Sequence, residues 1–133
     1  MKFLQTLILM TLMMGSYACT NDSDTAATTS GWKISKYVHH NNDKTSDYSG
    51  YVFDFQTNGV LLATKGSSSY TGTWKEVTDS NRTKLIIAFG SPSDLLELSE
   101  DWLIGTKTDS AIKLTNTSGN SANIGVDILE FSK

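Results

Sequence analysis

The chain has one cysteine, Cys19, so it forms no internal disulfide and carries no disulfide framework. Long apolar runs are also missing. The longest, Phe3 to Met14 ("FLQTLILMTLMM"), is interrupted by Gln5, Thr6 and Thr11, and is too short for the roughly 20 apolar residues of a spanning helix. Basic charge is scarce: 11 Lys and Arg stand against 14 Asp and Glu, for a formal net charge of −3. That balance excludes a nucleic-acid surface and a polybasic membrane patch. There is no phosphate-binding glycine loop, no nucleophile elbow and no basic-aromatic stripe. Glu97, Glu100 and Asp101 form an acidic group before an apolar run, but nothing nearby in sequence would raise a carboxyl pKa, so they read as a solvated turn. Neither an enzyme nor a bound cofactor is expected.

What is present begins with a secretory pattern. Lys2 precedes the apolar run, and Gly15, Ser16, Tyr17 and Ala18 follow it as a small-residue region. Signal peptidase could cut after Ala18, and lipoprotein signal peptidase would cut the same bond before Cys19. The stretch resembles a bacterial lipobox, with Ser16 where Leu is commonest. An exposed free thiol at a mature N-terminus is a liability unless it is consumed, and acylation at Cys19 consumes it while supplying several acyl chains. The expectation is a lipoprotein signal peptide over residues 1–18, a lipid-anchored Cys19, and a flexible tether over 19–30 whose "TNDSDTAATTS" holds no large apolar side chain. The expected location is the cell envelope, anchored in the outer membrane. Asp24-Thr25-Ala26 and Asp109-Ser110-Ala111 resemble bacterial O-glycosylation sites, and Asn81 and Asn116 open N-x-Ser/Thr triplets.

Residues 31–133 suffice for one modest domain. Helical periodicity is nearly absent; short alternating runs separated by turn residues fill the segment. Eight strands are predicted: 32–40, 50–55, 60–65, 69–77, 84–89, 101–107, 111–116 and 124–131. Asn58-Gly59 is the strongest hairpin signal, because a type I′ turn needs two residues with positive φ. Alternation turns Tyr51, Phe53 and Phe55 inward, and likewise Tyr70, Gly72 and Trp74; Leu85, Ile87 and Phe89; Trp102 and Ile104; Ile112 and Leu114; Leu129 and Phe131. Val52, Leu61, Ile86 and Leu103 are assigned outward, and Trp74 and Trp102 are both expected to be buried. Short connections favour an all-β antiparallel meander closing into a small barrel, with a two-sheet sandwich as the competing fold. "SPSDLLELSED" breaks the pattern: Ser91, Pro92 and Asp94 predict a helical turn or two through about Leu98, the rival being a ninth strand with Leu96 and Leu98 inward.

Several stretches resemble a family of small lipocalin-like bacterial lipoproteins: "SGYVFDFQTNGVLLA", "YTGTW", "KLIIAFG", "LLELSEDWLI", "AIKL" and "DILEF". The resemblance spans nearly all of Trp32 to Lys133 and implies a calycin-type β-barrel behind a lipoprotein signal. The matching residues are core and turn residues, so they imply a fold and no catalytic residue. Gly72-Thr73-Trp74 is similar to the Gly-x-Trp of true lipocalins but lies on the fourth predicted strand, where that signature belongs on the first, so no lipocalin ligand site is transferred.

Two kinds of function remain. One is a binding module for a small apolar or glycan ligand, held at a barrel end by Tyr37, His39, His40 and Tyr48, whose aromatic faces and polar tips suit such ligands. The other is a non-enzymatic structural or protein-interaction module with a filled barrel that contacts another envelope protein. The many large inward residues favour a filled interior. No metal site is expected: if the strand continues through His39 and His40, the two rings face opposite sides.

Overall fold

In the computed structural model, residues 30–116 and 125–133 are described. The expected signal segment, Cys19, nearly all of the expected tether, the Asp24-Thr25-Ala26 triplet and residues 117–124 lie outside them. The described chain is an antiparallel sheet of nine strands curled into a half-barrel. The strands are β1 (Lys33–His39), β2 (Asn42–Asp43), β3 (Tyr51–Phe55), β4 (Val60–Lys65), β5 (Ser68–Asp79), β6 (Arg82–Ala88), β7 (Asp101–Lys107), β8 (Ala111–Asn116) and β9 (Asp127–Ser132). A 3-10 turn covers Thr45–Tyr48, and the one-turn helix α1 covers Ser93–Leu96.

From β3 to β9 the chain is a meander, each strand pairing with the next. β1 then lies beside β9 and carries the two-residue β2 on its other side. β2 is the strand the alternation could not announce, since two residues hold no period. All nine strands share one sheet, so the sandwich alternative does not occur. Just before β1, Trp32 exchanges two main-chain hydrogen bonds with Phe53 of β3, at 3.1 and 2.8 Å.

The inward rows meet across the sheet. Phe131 of β9 packs edge-on against Phe53 and Phe55 of β3, with ring centroids 5.3 and 5.5 Å apart. These strands are six places apart in the sheet, so their rings span the interior. Trp32, Tyr37, Phe53, Phe55, Trp102 and Phe131 are among the largest fully buried side chains.

Two side-chain assignments, Leu61 and Trp74, change. Leu61 is buried rather than outward: it lies opposite Phe55, and in antiparallel strands cross-strand partners share a face. Trp74 is half-buried rather than buried, lying against Phe55 at the edge of the core with Nε1 donating to the Gln56 carbonyl at 2.9 Å. Trp102 is fully buried, as expected.

The turns differ in kind from the prediction. At Asn58-Gly59 only Gly59 has positive φ, at 82°. Gln56 and Val60 are joined by a 2.9 Å bond across a longer loop, so this hairpin is not a two-residue type I′ turn. Two-residue turns with positive φ at both central positions occur instead at His40-Asn41 (49° and 65°) and Ser80-Asn81 (49° and 63°). Histidine and asparagine are among the residues that tolerate this region.

Candidate functional site

Helix α1 stops one end of the half-barrel. Leu95 and Leu98, three apart on one helical face, are fully buried, while Leu96 is 51% exposed. The segment is therefore helical, and the ninth-strand alternative with Leu96 and Leu98 on one face is excluded. Main-chain carbonyls of this segment receive three polar side chains from beneath. Tyr48 Oη donates to Asp94 O at 2.6 Å, Tyr37 Oη to Glu97 O at 3.2 Å and Trp102 Nε1 to Leu98 O at 2.9 Å. Tyr51 Oη donates to the Asp94 carboxylate at 2.8 Å, and Lys44 Nζ pairs with Glu97 at 2.8 Å. Apart from the exposed Lys44–Glu97 pair, each bond gives a partner to a main-chain carbonyl or a buried hydroxyl.

Tyr37 and Tyr48 thus sit in the core, their rings 5.2 Å apart and edge-on, with their hydroxyls committed to α1. Burial, then the carboxylates of Glu97, Asp127 and Glu100, push the Tyr37 hydroxyl well above its ordinary value. Burial also raises Tyr48 strongly, and raises Tyr51 to about 12 with help from its bond to Asp94. Neither Tyr37 nor Tyr48 offers a free polar tip to a ligand from outside.

His39 and His40 are different. Strand β1 ends at His39, and the positive φ of His40 turns its ring back toward the same side. The two ring centroids lie 3.8 Å apart. The premise that the strand runs on and separates the rings is therefore corrected. Asp127, at the start of β9, reaches both residues: Oδ2 contacts His39 Nδ1 at 2.9 Å, and Oδ1 accepts the His40 main-chain N–H at 2.8 Å. Asp127 and Asn116 are the buried polar residues among those described, and they are paired across β8 and β9. Asn116 Nδ2 in turn donates to Glu100 at 3.1 Å. Asp127 was invisible to the sequence reading because it lies 88 residues from His39 and only the β1–β9 pairing brings them together.

A concavity lies at the seam between β1 and β3. Beyond the Trp32–Phe53 bridge the two strands part, leaving a cleft of about 340 Å³ lined by Lys33, Ile34, Tyr48, Ser49, Gly50, Tyr51 and Val52. Of the four predicted ligand residues, Tyr48 reaches this cleft, Tyr37 is in the core, and His39 and His40 form the hairpin cluster with Asp127.

Comparison of the chain with protein-family models, with curated proteins and with solved structures finds no match, so its function is read from its own residues.

Proposed function

We propose that this chain is a lipid-anchored, non-catalytic binding protein of a bacterial cell envelope, and that its barrel is a filled frame that takes a small ligand on its outside. The observation that carries this reading is the interior itself: Phe131 meets Phe53 and Phe55 across the sheet, and large side chains occupy the space a lipocalin leaves for a ligand. We infer that the Trp32–Phe53 bridge completes the barrel, which removes most of the open sheet edge. Ligand binding then falls to the seam cleft, whose volume of about 340 Å³ lies in the range of small-ligand sites. Lys33 and the main chain of Ser49 and Gly50, beside the ring edges of Tyr48 and Tyr51, suit a glycan fragment better than a bare acyl chain.

A second reading, contact with another envelope protein, is favoured by Leu96 and Val126, which are large apolar side chains 51% and 49% exposed. Val52, Ile86 and Leu103 are only half-buried, and Val52 stands on β3, far along the sheet from the other two, so they form no continuous apolar face.

The test is a thermal-shift screen of the full chain with oligosaccharides and fatty acids, since a ligand of the native state raises its apparent stability. A glycan-induced shift that disappears in Ser49→Trp, which fills the cleft, and survives in Phe53→Leu supports the seam. A shift lost only in Phe53→Leu puts the ligand inside and overturns the reading. No shift with either class favours the protein-contact reading.

A further inference from the structure

We propose that His39, His40 and Asp127 form a binding site for a borderline divalent transition ion, with Zn2+ or Cu2+ as the chemical class. One ligand atom from each residue lies within 4.8 Å of the others. Two imidazoles and a carboxylate are the donors such ions prefer, and three protein ligands with one open position make a familiar zinc arrangement. The sequence has two histidines, and the fold brings both to this point.

The geometry is partly pre-formed. Asp127 is held by the His40 main-chain N–H on Oδ1, which leaves Oδ2 aimed at the His39 ring. With metal–ligand bonds of about 2.0–2.2 Å, ligand atoms around a tetrahedral ion stand roughly 3.3 Å apart. The 2.9 Å contact between His39 Nδ1 and Asp127 Oδ2 needs to open only slightly. The remaining contraction, from separations within 4.8 Å, is open to His40, whose exposed side chain can rotate without disturbing the core. Glu100 adds negative charge nearby, bonded to Asn116, the cross-strand partner of Asp127, while Lys44 is paired with Glu97. Gly125 lies close against the side chain of Asn41, the other central residue of the hairpin. The site uses neither the barrel interior nor the seam cleft, so it stands or falls independently of the proposed glycan binding.

The experiment is calorimetric titration of Zn2+ into the full chain in detergent, carrying Cys19→Ser so that its one thiol adds no ligand. Binding of one Zn2+ per chain is expected, tighter for Cu2+, and not displaced by excess Ca2+ or Mg2+. His40→Asn removes an imidazole while keeping a residue that accepts positive φ, and should weaken Zn2+ about tenfold or more with the melting temperature of the metal-free protein unchanged. His39→Asn should weaken Zn2+ likewise, with a lower melting temperature because it breaks the contact to buried Asp127, and the imidazole NMR signals of both histidines should shift on Zn2+ addition. Absence of Zn2+ binding at millimolar metal overturns the site. So does binding whose affinity is the same in wild type, His39→Asn and His40→Asn, and so does displacement by Ca2+.

Discussion

Gly72 sits within β5 opposite Leu61, and the space where its side chain would stand is already taken. A Cβ there would lie 2.5 Å from the Ala88 carbonyl oxygen and 2.6 Å from Phe89 Cδ1. Neither neighbour yields easily. Ala88 is fixed by its pairing with Thr73, and Phe89 is buried with its N–H bonded to Ser99 Oγ at 2.8 Å. Gly72→Ala therefore demands a backbone or ring shift of most of an ångström, and overpacking of this kind costs about 1–3 kcal/mol. Against it stands the loss of unfolded-chain freedom, worth about 0.4–1 kcal/mol in favour of alanine. A net loss of about 1–2 kcal/mol follows, out of a total of roughly 5–15 kcal/mol for a domain. Gly90 supplies the control: its backbone lies outside the left-handed region and an added Cβ meets nothing within 4 Å. Gly90→Ala should be neutral or stabilising by about 0.4–1 kcal/mol. Urea unfolding read by tryptophan fluorescence measures both, with the slope held constant to show that the unfolded state is unchanged. Equal stability of Gly72→Ala and Gly90→Ala would refute the packing of β5 against Phe89.

Trp102→Ala should cost about 3–5 kcal/mol, because it empties a fully buried site and strips the Leu98 carbonyl of its donor, whereas half-buried Trp74→Ala should cost about 2 kcal/mol; equal losses in urea unfolding would contradict the register of β5. Tyr51 keeps its proton to about 12 in the fold, and Tyr37 and Tyr48 are raised further, all above the ordinary value of 10. Their contribution is whole below pH 10 and is lost as pH climbs from there through the folded values, so ionisation followed at 295 nm should coincide with loss of near-ultraviolet circular dichroism; ionisation of all tyrosines near pH 10 in an intact fold would contradict their burial. Cys19→Ala should move the protein from the membrane pellet to the soluble periplasmic fraction, and labelled palmitate should enter only the wild type; a label-free wild-type protein would overturn the proposed anchor.

Strand positions were legible wherever alternation ran for five residues or more, because period-two patterning is a local property. Tyr51, Phe53 and Phe55 declared their face without any knowledge of the partner strand. The face of β4 was not legible. "VLLATK" alternates weakly, and Leu61 turns inward only because it pairs with Phe55. Trp74 misled for a related reason: its parity is inward, but it stands at the rim, where depth depends on neighbours from other strands. The helical turn at "SPSDLLELSED" was legible from Ser91, Pro92 and Asp94, but its role in stopping one end of the half-barrel was not. The candidate site was half visible. Tyr37, His39, His40 and Tyr48 were expected to share one ligand site, yet the two tyrosines donate to carbonyls of Glu97 and Asp94 in the α1 segment and only the histidines cluster with Asp127. The turn that unites the histidines lacks glycine, so its positive φ values gave no composition signal. Asp127 joins them only through the last strand.

The filled interior is the claim on which the functional reading depends, and aromatic NOE spectroscopy of the full chain tests it most directly. With Phe131 ring centroids 5.3 Å from Phe53 and 5.5 Å from Phe55, cross-peaks should link these rings and persist unchanged in saturating long-chain fatty acid. Absence of the cross-peaks, or their disappearance when the fatty acid is added, would mean that the interior opens to a ligand and would contradict the account.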